Sequence, residues 1–190
     1  MPALHLNFMR HGATAPNLAG LRCGGDLDAP LTEIGRRQAV QGALRMHELR
    51  LPLGLIVSSG LQRSRETAQI VSRVLQGVAT VIIPEFAERA LGEWNLRTLA
   101  ETEAALVEGL TPPGGESRAE FFDRIAGAVQ TLLPRLPERP LLVGSKGVAR
   151  VLRELTGQGG ANRGHQMGNC ELAHFDLAPI AARDCLAWPT

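Results

Sequence analysis

Five short strand-like runs constrain the fold most: Leu4–Met9, Leu55–Ser58, Ala79–Ile83, Leu141–Gly144 and Glu171–Phe175. Each is too short for a buried helix and reads as a strand. Most are separated by segments with helical periodicity. Alternation of this kind implies a mainly parallel sheet with helices on both faces. From about Thr32 to Leu49, the residues Ala39, Val40, Ala43 and Leu44 are spaced to share one helical face. Leu61, Ala68, Val71 and Leu75 do the same in the next segment, and Phe121, Phe122, Ile125, Val129, Leu132 and Leu133 mark a third. Ser117-x-x-Glu120 and Thr98-x-x-Glu101 have the spacing of capping boxes and predict two helix starts. A last helix runs from about Gly147 to Leu155 and stops at Gly157. A chain of 190 residues suits one α/β domain over 1–190. Pro112-Pro113-Gly114-Gly115 is then a loop, since the helix after it is needed to cover the sheet.

Charge and cysteine content narrow the function. Lysine and arginine total 20 against 19 acids, interspersed along the chain, so no nucleic-acid partner is indicated. The amino terminus lacks a charged n-region and a long apolar core, and Leu4–Met9 is too short to span a bilayer. The expectation is a cytoplasmic protein with no membrane partner. Cys23, Cys170 and Cys185 have no CxxC spacing and read as reduced thiols, not as a disulfide frame. No His/Asp/Glu cluster has metal-ligand spacing, and Gly24-Gly25 and Gly159-Gly160 are turn glycines, so neither metal nor cofactor is expected. The sequence leaves the oligomeric state open.

The first apolar run ends in Met9-Arg10-His11-Gly12. Gly12 permits a sharp turn, which leaves Arg10 and His11 at the carboxyl edge of the sheet, where open α/β folds bind ligands. Neutral imidazole can attack phosphorus, and guanidinium matches phosphate oxygens two at a time. Thr14 and Asn17 follow, as neutral donors to a ligand or as caps of the loop. Arg63 falls in the first turn of its helix, where backbone N–H groups also favour an anion. Lys146 stands at another strand-to-helix turn. His5, His47 and His174 read as packing residues, whereas His165 lies in the Gly-rich stretch Gln158–Gly168, which reads as a mobile loop near the site.

Several motifs recur in order after the Arg-His-Gly triplet: Asp28-Ala29-Pro30-Leu31-Thr32-Glu33-Ile34-Gly35, Gln38-Ala39, and Ser58-Ser59-Gly60-Leu61-Gln62-Arg63 with Glu66-Thr67-Ala68. Glu88-Arg89-Ala90-Leu91-Gly92-Glu93-Trp94, Gly115-Glu116-Ser117 and Leu141-Leu142-Val143-Gly144-Ser145-Lys146-Gly147 complete the series. From about residue 4 to 176 this series resembles the histidine phosphatase superfamily, also called phosphoglycerate mutase-like. The resemblance implies a three-layer α/β/α sandwich, His11 as a nucleophile that forms a phosphohistidine, and Arg10 and Arg63 as phosphate clamps. It further implies Glu88 as proton donor and Arg89 as a substrate contact. Two departures stand out: Lys146 occupies the place of the second active-site histidine, and Leu96 a place where glycine is usual. The short connection from Trp94 to Ser117 favours the phosphatase branch over a glycolytic mutase. The implied activity is metal-independent hydrolysis of a small phosphorylated metabolite. The alternative is a pseudoenzyme that binds such ligands, with Lys146 retaining only phosphate contact; a third reading, a phosphotransferase that uses the lysine, has no independent support.

Overall fold

The computed structural model describes residues 4–158 and 167–182. Five strands, β1 (His5–Arg10), β2 (Leu55–Ser58), β3 (Ala79–Ile82), β4 (Pro140–Gly144) and β5 (Leu172–Asp176), form one sheet in the order β3-β2-β4-β1-β5. β3, β2, β4 and β1 run parallel, and β5 pairs antiparallel with β1 at the edge. The helices are α1 (Ala15–Leu18), α2 (Glu33–Glu48), α3 (Gln62–Val74), α4 (Leu99–Val107), α5 (Arg118–Leu132), α6 (Lys146–Leu155) and α7 (Ala178–Ala181). Every expected strand and helix is present within a residue or two. The capping boxes at Thr98 and Ser117 both close as their spacing predicts.

Side chains alternate across the sheet because successive residues of a strand point to opposite faces. Leu6, Phe8, Leu55, Val57 and Leu142 pack on one face with Ile125, Val129, Val148 and Leu152 of α5 and α6. Met9, Ile56, Leu141 and Val143 pack on the other with Ala43, Met46, Ala68 and Val71 of α2 and α3. The result is the expected α/β/α sandwich.

One face assignment is corrected. In α2 the buried residues are Gly35, Ala39, Ala43 and Met46, whereas Val40 and Leu44 are exposed. The helix turns its small residues inward so that it can lie close to the sheet. A Cβ at Gly42 would strike the Met9 methyl, so larger side chains would hold the helix off. His5, His47 and His174 are also exposed rather than packed. For His5 and His174 the reason is period two: their strand neighbours Leu6 and Phe175 take the buried side. His165, Cys185 and most of the Gln158–Gly168 stretch lie outside the described residues.

Candidate active site

The carboxyl ends of β2, β4 and β1 lie side by side, with Ser58 opposite Val143 and Arg10 opposite Gly144. The three turns that leave these ends carry Arg10-His11, Ser59 to Arg63, and Ser145-Lys146. Sequence positions more than a hundred residues apart therefore meet at one edge.

The loop that carries His11 is fixed through its backbone N–H groups. His11 N–H donates to Gly144 O at 2.9 Å, Gly12 N–H to Thr67 Oγ1 at 3.1 Å, and Ala13 N–H to Gln38 Oε1 at 2.9 Å. Thr67 Oγ1 in turn donates to Arg63 O at 2.7 Å, which couples this loop to α3. Gly12 must be glycine, because a Cβ there would meet the backbone carbonyl of Gly35.

His11 is 4 % exposed, and its Nδ1 lies 2.7 Å from Gly12 O. A carbonyl only accepts, so Nδ1 carries the proton and Nε2 of the neutral ring keeps its lone pair. Burial first, then the charges of Arg63 and Arg10, hold the imidazole well below its ordinary value near 6.5, against the pull of the Gly12 carbonyl.

Arg63 is fully buried. Its Nη1 donates to Leu27 O at 2.8 Å and its Nη2 to Gly24 O at 2.9 Å, while Nε has no partner. Among the described residues no carboxylate pairs with it. Arg10 donates through Nη1 to Met167 O at 2.6 Å, and its Nε is likewise buried without a partner. The hydroxyls of Ser59 and Ser145 share that condition. All four orphaned groups sit at the ends of β1, β2 and β4 or in the turns that follow. Buried polar groups are ordinarily satisfied, and an unpaired buried cation costs several kcal/mol, roughly. The two serines had a sequence signal, as small polar residues at strand ends inside the ordered motifs, but the spacing did not single them out.

Glu88 lies in an irregular segment beside the first turn of α6. Its Oε2 accepts from Gly147 N–H at 2.9 Å and its Oε1 from Arg89 N–H at 2.8 Å. A Cβ at residue 147 would collide with Oε1, so the carboxylate reaches this place only because Gly147 has no side chain. Its bond to Gly147, at the start of the helix that leaves β4, puts Glu88 at the same edge of the sheet as Arg10. An open cleft of about 500 Å3 touches Glu88, together with Asp26, Glu116 and Arg124. None of His11, Arg10 and Arg63 lines it, so the cleft and the guanidinium pole are separate features.

Lys146 is half-buried at the start of α6. Burial lowers the proton affinity of its ammonium, and the charges of Arg150, Arg10 and Arg22 lower it further while Glu103 opposes them. The charge of Arg10 thus bears on both His11 and Lys146.

The remaining candidates have visible structural duties. Thr14 and Asn17 form a reciprocal cap on α1, and Asn17 Oδ1 also accepts from Asn169 Nδ2 at 3.4 Å. Asn169 Nδ2 donates to His11 O at 2.9 Å as well, a contact with no sequence signal. Arg89 is buried and donates to Glu116 O at 2.7 Å and Leu110 O at 3.1 Å. Leu96 has φ +61°. The backbone keeps a glycine-like conformation there although the residue is leucine. Cys23 and Cys170 are free thiols, and burial pushes Cys170 up to about 12. Among the described residues no group of acids, histidines and cysteines could hold a metal, and no helix is long and apolar enough to cross a membrane.

A buried imidazole thus stands with one fully buried and one half-buried guanidinium at the carboxyl edge of an α/β sandwich. The profile of the histidine phosphatase superfamily (branch 1) matches residues 6–181, and the chain belongs to that superfamily. It is 36% identical over 188 residues to the probable phosphoglycerate mutase GpmB of Cronobacter sakazakii, covering 91% of this chain and 85% of the relative. Among solved structures it is similar to a mycobacterial glucosyl-3-phosphoglycerate phosphatase complexed with VO3, at 33% identity and TM-score 0.74 over 90% of this chain and 91% of the other. A second is mycobacterial hydrolase 1, at 31% identity and TM-score 0.75 over 90% of both chains.

Proposed function

We propose that this protein is a metal-independent phosphatase that hydrolyses a small phosphate monoester through a phosphohistidine on His11. The observation that carries the reading is the pairing of a neutral, Nδ1-protonated imidazole with two guanidiniums whose Nε donors are buried and unsatisfied. In the first step the Nε2 lone pair attacks phosphorus and the phosphorus–oxygen ester bond breaks. The leaving oxygen takes a proton from Glu88. Water then attacks the phosphohistidine and gives a proton to the Glu88 carboxylate, the phosphorus–nitrogen bond breaks, and inorganic phosphate leaves with the imidazole and the Glu88 carboxyl both restored. Arg10 and Arg63 stabilise the equatorial oxygens throughout without giving up a proton. The phosphatase structure that binds VO3, itself a stand-in for a phosphoryl group, supports hydrolysis; the mutase name of the sequence relatives supports transfer to a second acceptor.

Lys146 favours a second reading, in which the site binds phosphorylated ligands and turns over little. Its ammonium preserves positive charge but not imidazole geometry, and misplacement of about 1 Å can cost roughly a hundredfold. Its half-buried place at the start of α6, just after the end of β4, supports a phosphate-contacting role in either case.

Acid-quench trapping with labelled substrate tests the reading. Wild type should yield an acid-labile, base-stable phosphoprotein, and His11→Ala none. A label on serine or aspartate would refute His11, and a protein that binds phosphate yet is inert across a broad ester panel would establish the binding reading.

A further inference from the structure

The carboxylate of Glu88 sits on a segment with no regular secondary structure, between Ala87 and Leu91. Something other than a sheet ladder or helix must hold it, because a misplaced proton donor loses most of its effect. We infer that Arg124 and Glu116 are the positioning residues that set Glu88 against the leaving oxygen. The inference rests on the reading of Glu88 as proton donor.

Arg124 projects from α5 and uses all five of its N–H donors. Nε donates to Glu116 Oε1 at 2.8 Å and Nη2 to Glu116 Oε2 at 2.7 Å, the forked pairing that fixes both planes. Nη1 donates to Glu85 O at 2.6 Å and Ala87 O at 3.0 Å, and Nη2 to Glu88 O at 3.3 Å. Three carbonyls of the segment are therefore gathered on one rigid guanidinium. Glu116 holds the far side: its Oε2 accepts from Ala90 N–H at 3.3 Å, and its own N–H donates to Ala90 O at 3.0 Å. Its carbonyl takes Arg89 Nε at 2.7 Å. The Glu88 backbone is thus bracketed from residue 85 to residue 90. The ion pair is partly buried, with side-chain exposures of 27% and 15%, so water competes little for it. An ordinary surface bridge would show neither this shielding nor this set of carbonyls.

Lysine at 124 keeps the charge but offers a rotating ammonium in place of the fork. Glutamine at 116 keeps the shape but weakens the pair. Neither touches substrate in this reading. The two should lower turnover selectively on esters whose leaving group needs a proton.

The test compares kcat for glycerol phosphate and para-nitrophenyl phosphate in wild type, Glu88→Gln, Arg124→Lys and Glu116→Gln. Their ratio does not depend on how much folded protein a preparation holds. Arg124→Lys should lower the glycerol to nitrophenyl ratio by about a hundredfold and Glu116→Gln by about tenfold, both in the direction of Glu88→Gln. If Glu88→Gln shifts the ratio and neither other variant does, this inference is overturned and the proton donor stands. Equal slowing of both esters in the two variants overturns it in the same way, since that is the mark of a structural role. An inert wild type, or a Glu88→Gln variant with an unchanged ratio, overturns the proton-donor reading and this inference with it.

Discussion

Gly147→Ala separates the chemistry of this site from its stability. The residue lies in the first turn of α6 and its N–H holds Glu88 Oε2 at 2.9 Å. An added Cβ would stand 2.8 Å from Glu88 Cδ and 2.9 Å from Oε2, and nearer still to Oε1. Ordinary carbon contacts begin near ~3.5 Å, so the carboxylate must retreat by about 1 Å. A displacement of that size costs roughly a hundredfold in rate, or about 2.7 kcal/mol of barrier, wherever the proton is needed. Stability should hardly move. Alanine gains about 0.5–1 kcal/mol over glycine in a helix, and the lost anion at the helix start costs about 0.3–1 kcal/mol. The two nearly cancel, so the melting temperature should stay within about 4 °C. Steady-state turnover of glycerol phosphate and para-nitrophenyl phosphate, with a thermal melt of the same samples, reads all of this. Retention of glycerol phosphate turnover within about threefold would show that Glu88 does not act from this position.

Three further outcomes follow from particular residues. The folded protein holds the His11 imidazole well below 6.5 by burial and by Arg63 and Arg10, so the unfolded chain binds more protons just below pH 6.5. Unfolding free energy should therefore fall as pH drops from about 6.5 toward the folded value, and His11→Ala should flatten that slope in melts across pH 5–7, roughly. Leu96→Gly should raise stability by up to about 1 kcal/mol, because Leu96 carries φ +61° at an exposed position; a lower melting temperature would refute strain there. Lys146→Ala should weaken phosphate binding and turnover together if the ammonium contacts phosphate, and Lys146→His should keep or raise turnover at neutral pH. Unchanged phosphate affinity in Lys146→Ala, by calorimetry, would remove Lys146 from the site.

Much of the architecture was legible because it is local. Strand runs of four to six apolar residues, the capping boxes at Thr98 and Ser117, and the stop at Gly157 depend on neighbours within a few positions. The face of α2 was not, since Ala39 and Val40 are equally apolar. What chose between them was the close approach of Met9 at Gly42, a contact between distant parts of the chain. Leu96 shows the reverse case: the family resemblance pointed to glycine there, and the tertiary fold holds leucine in glycine's conformation.

By itself, the sequence determined the sandwich, the strand ends that carry Arg10, His11, Arg63 and Lys146, and the order of the motifs that join them. The tertiary structure decided the electrostatics and the geometry. It buried Arg63 against Leu27 and Gly24 with a donor unsatisfied, and fixed the His11 tautomer on Gly12 O. Through Arg124 and Glu116 it also braced Glu88, which no periodicity or spacing connects to them. The physical reason is range. Backbone preference and side-chain period act within a turn or a strand, whereas desolvation, ion pairing and proton affinity depend on what the rest of the chain brings within a few ångströms.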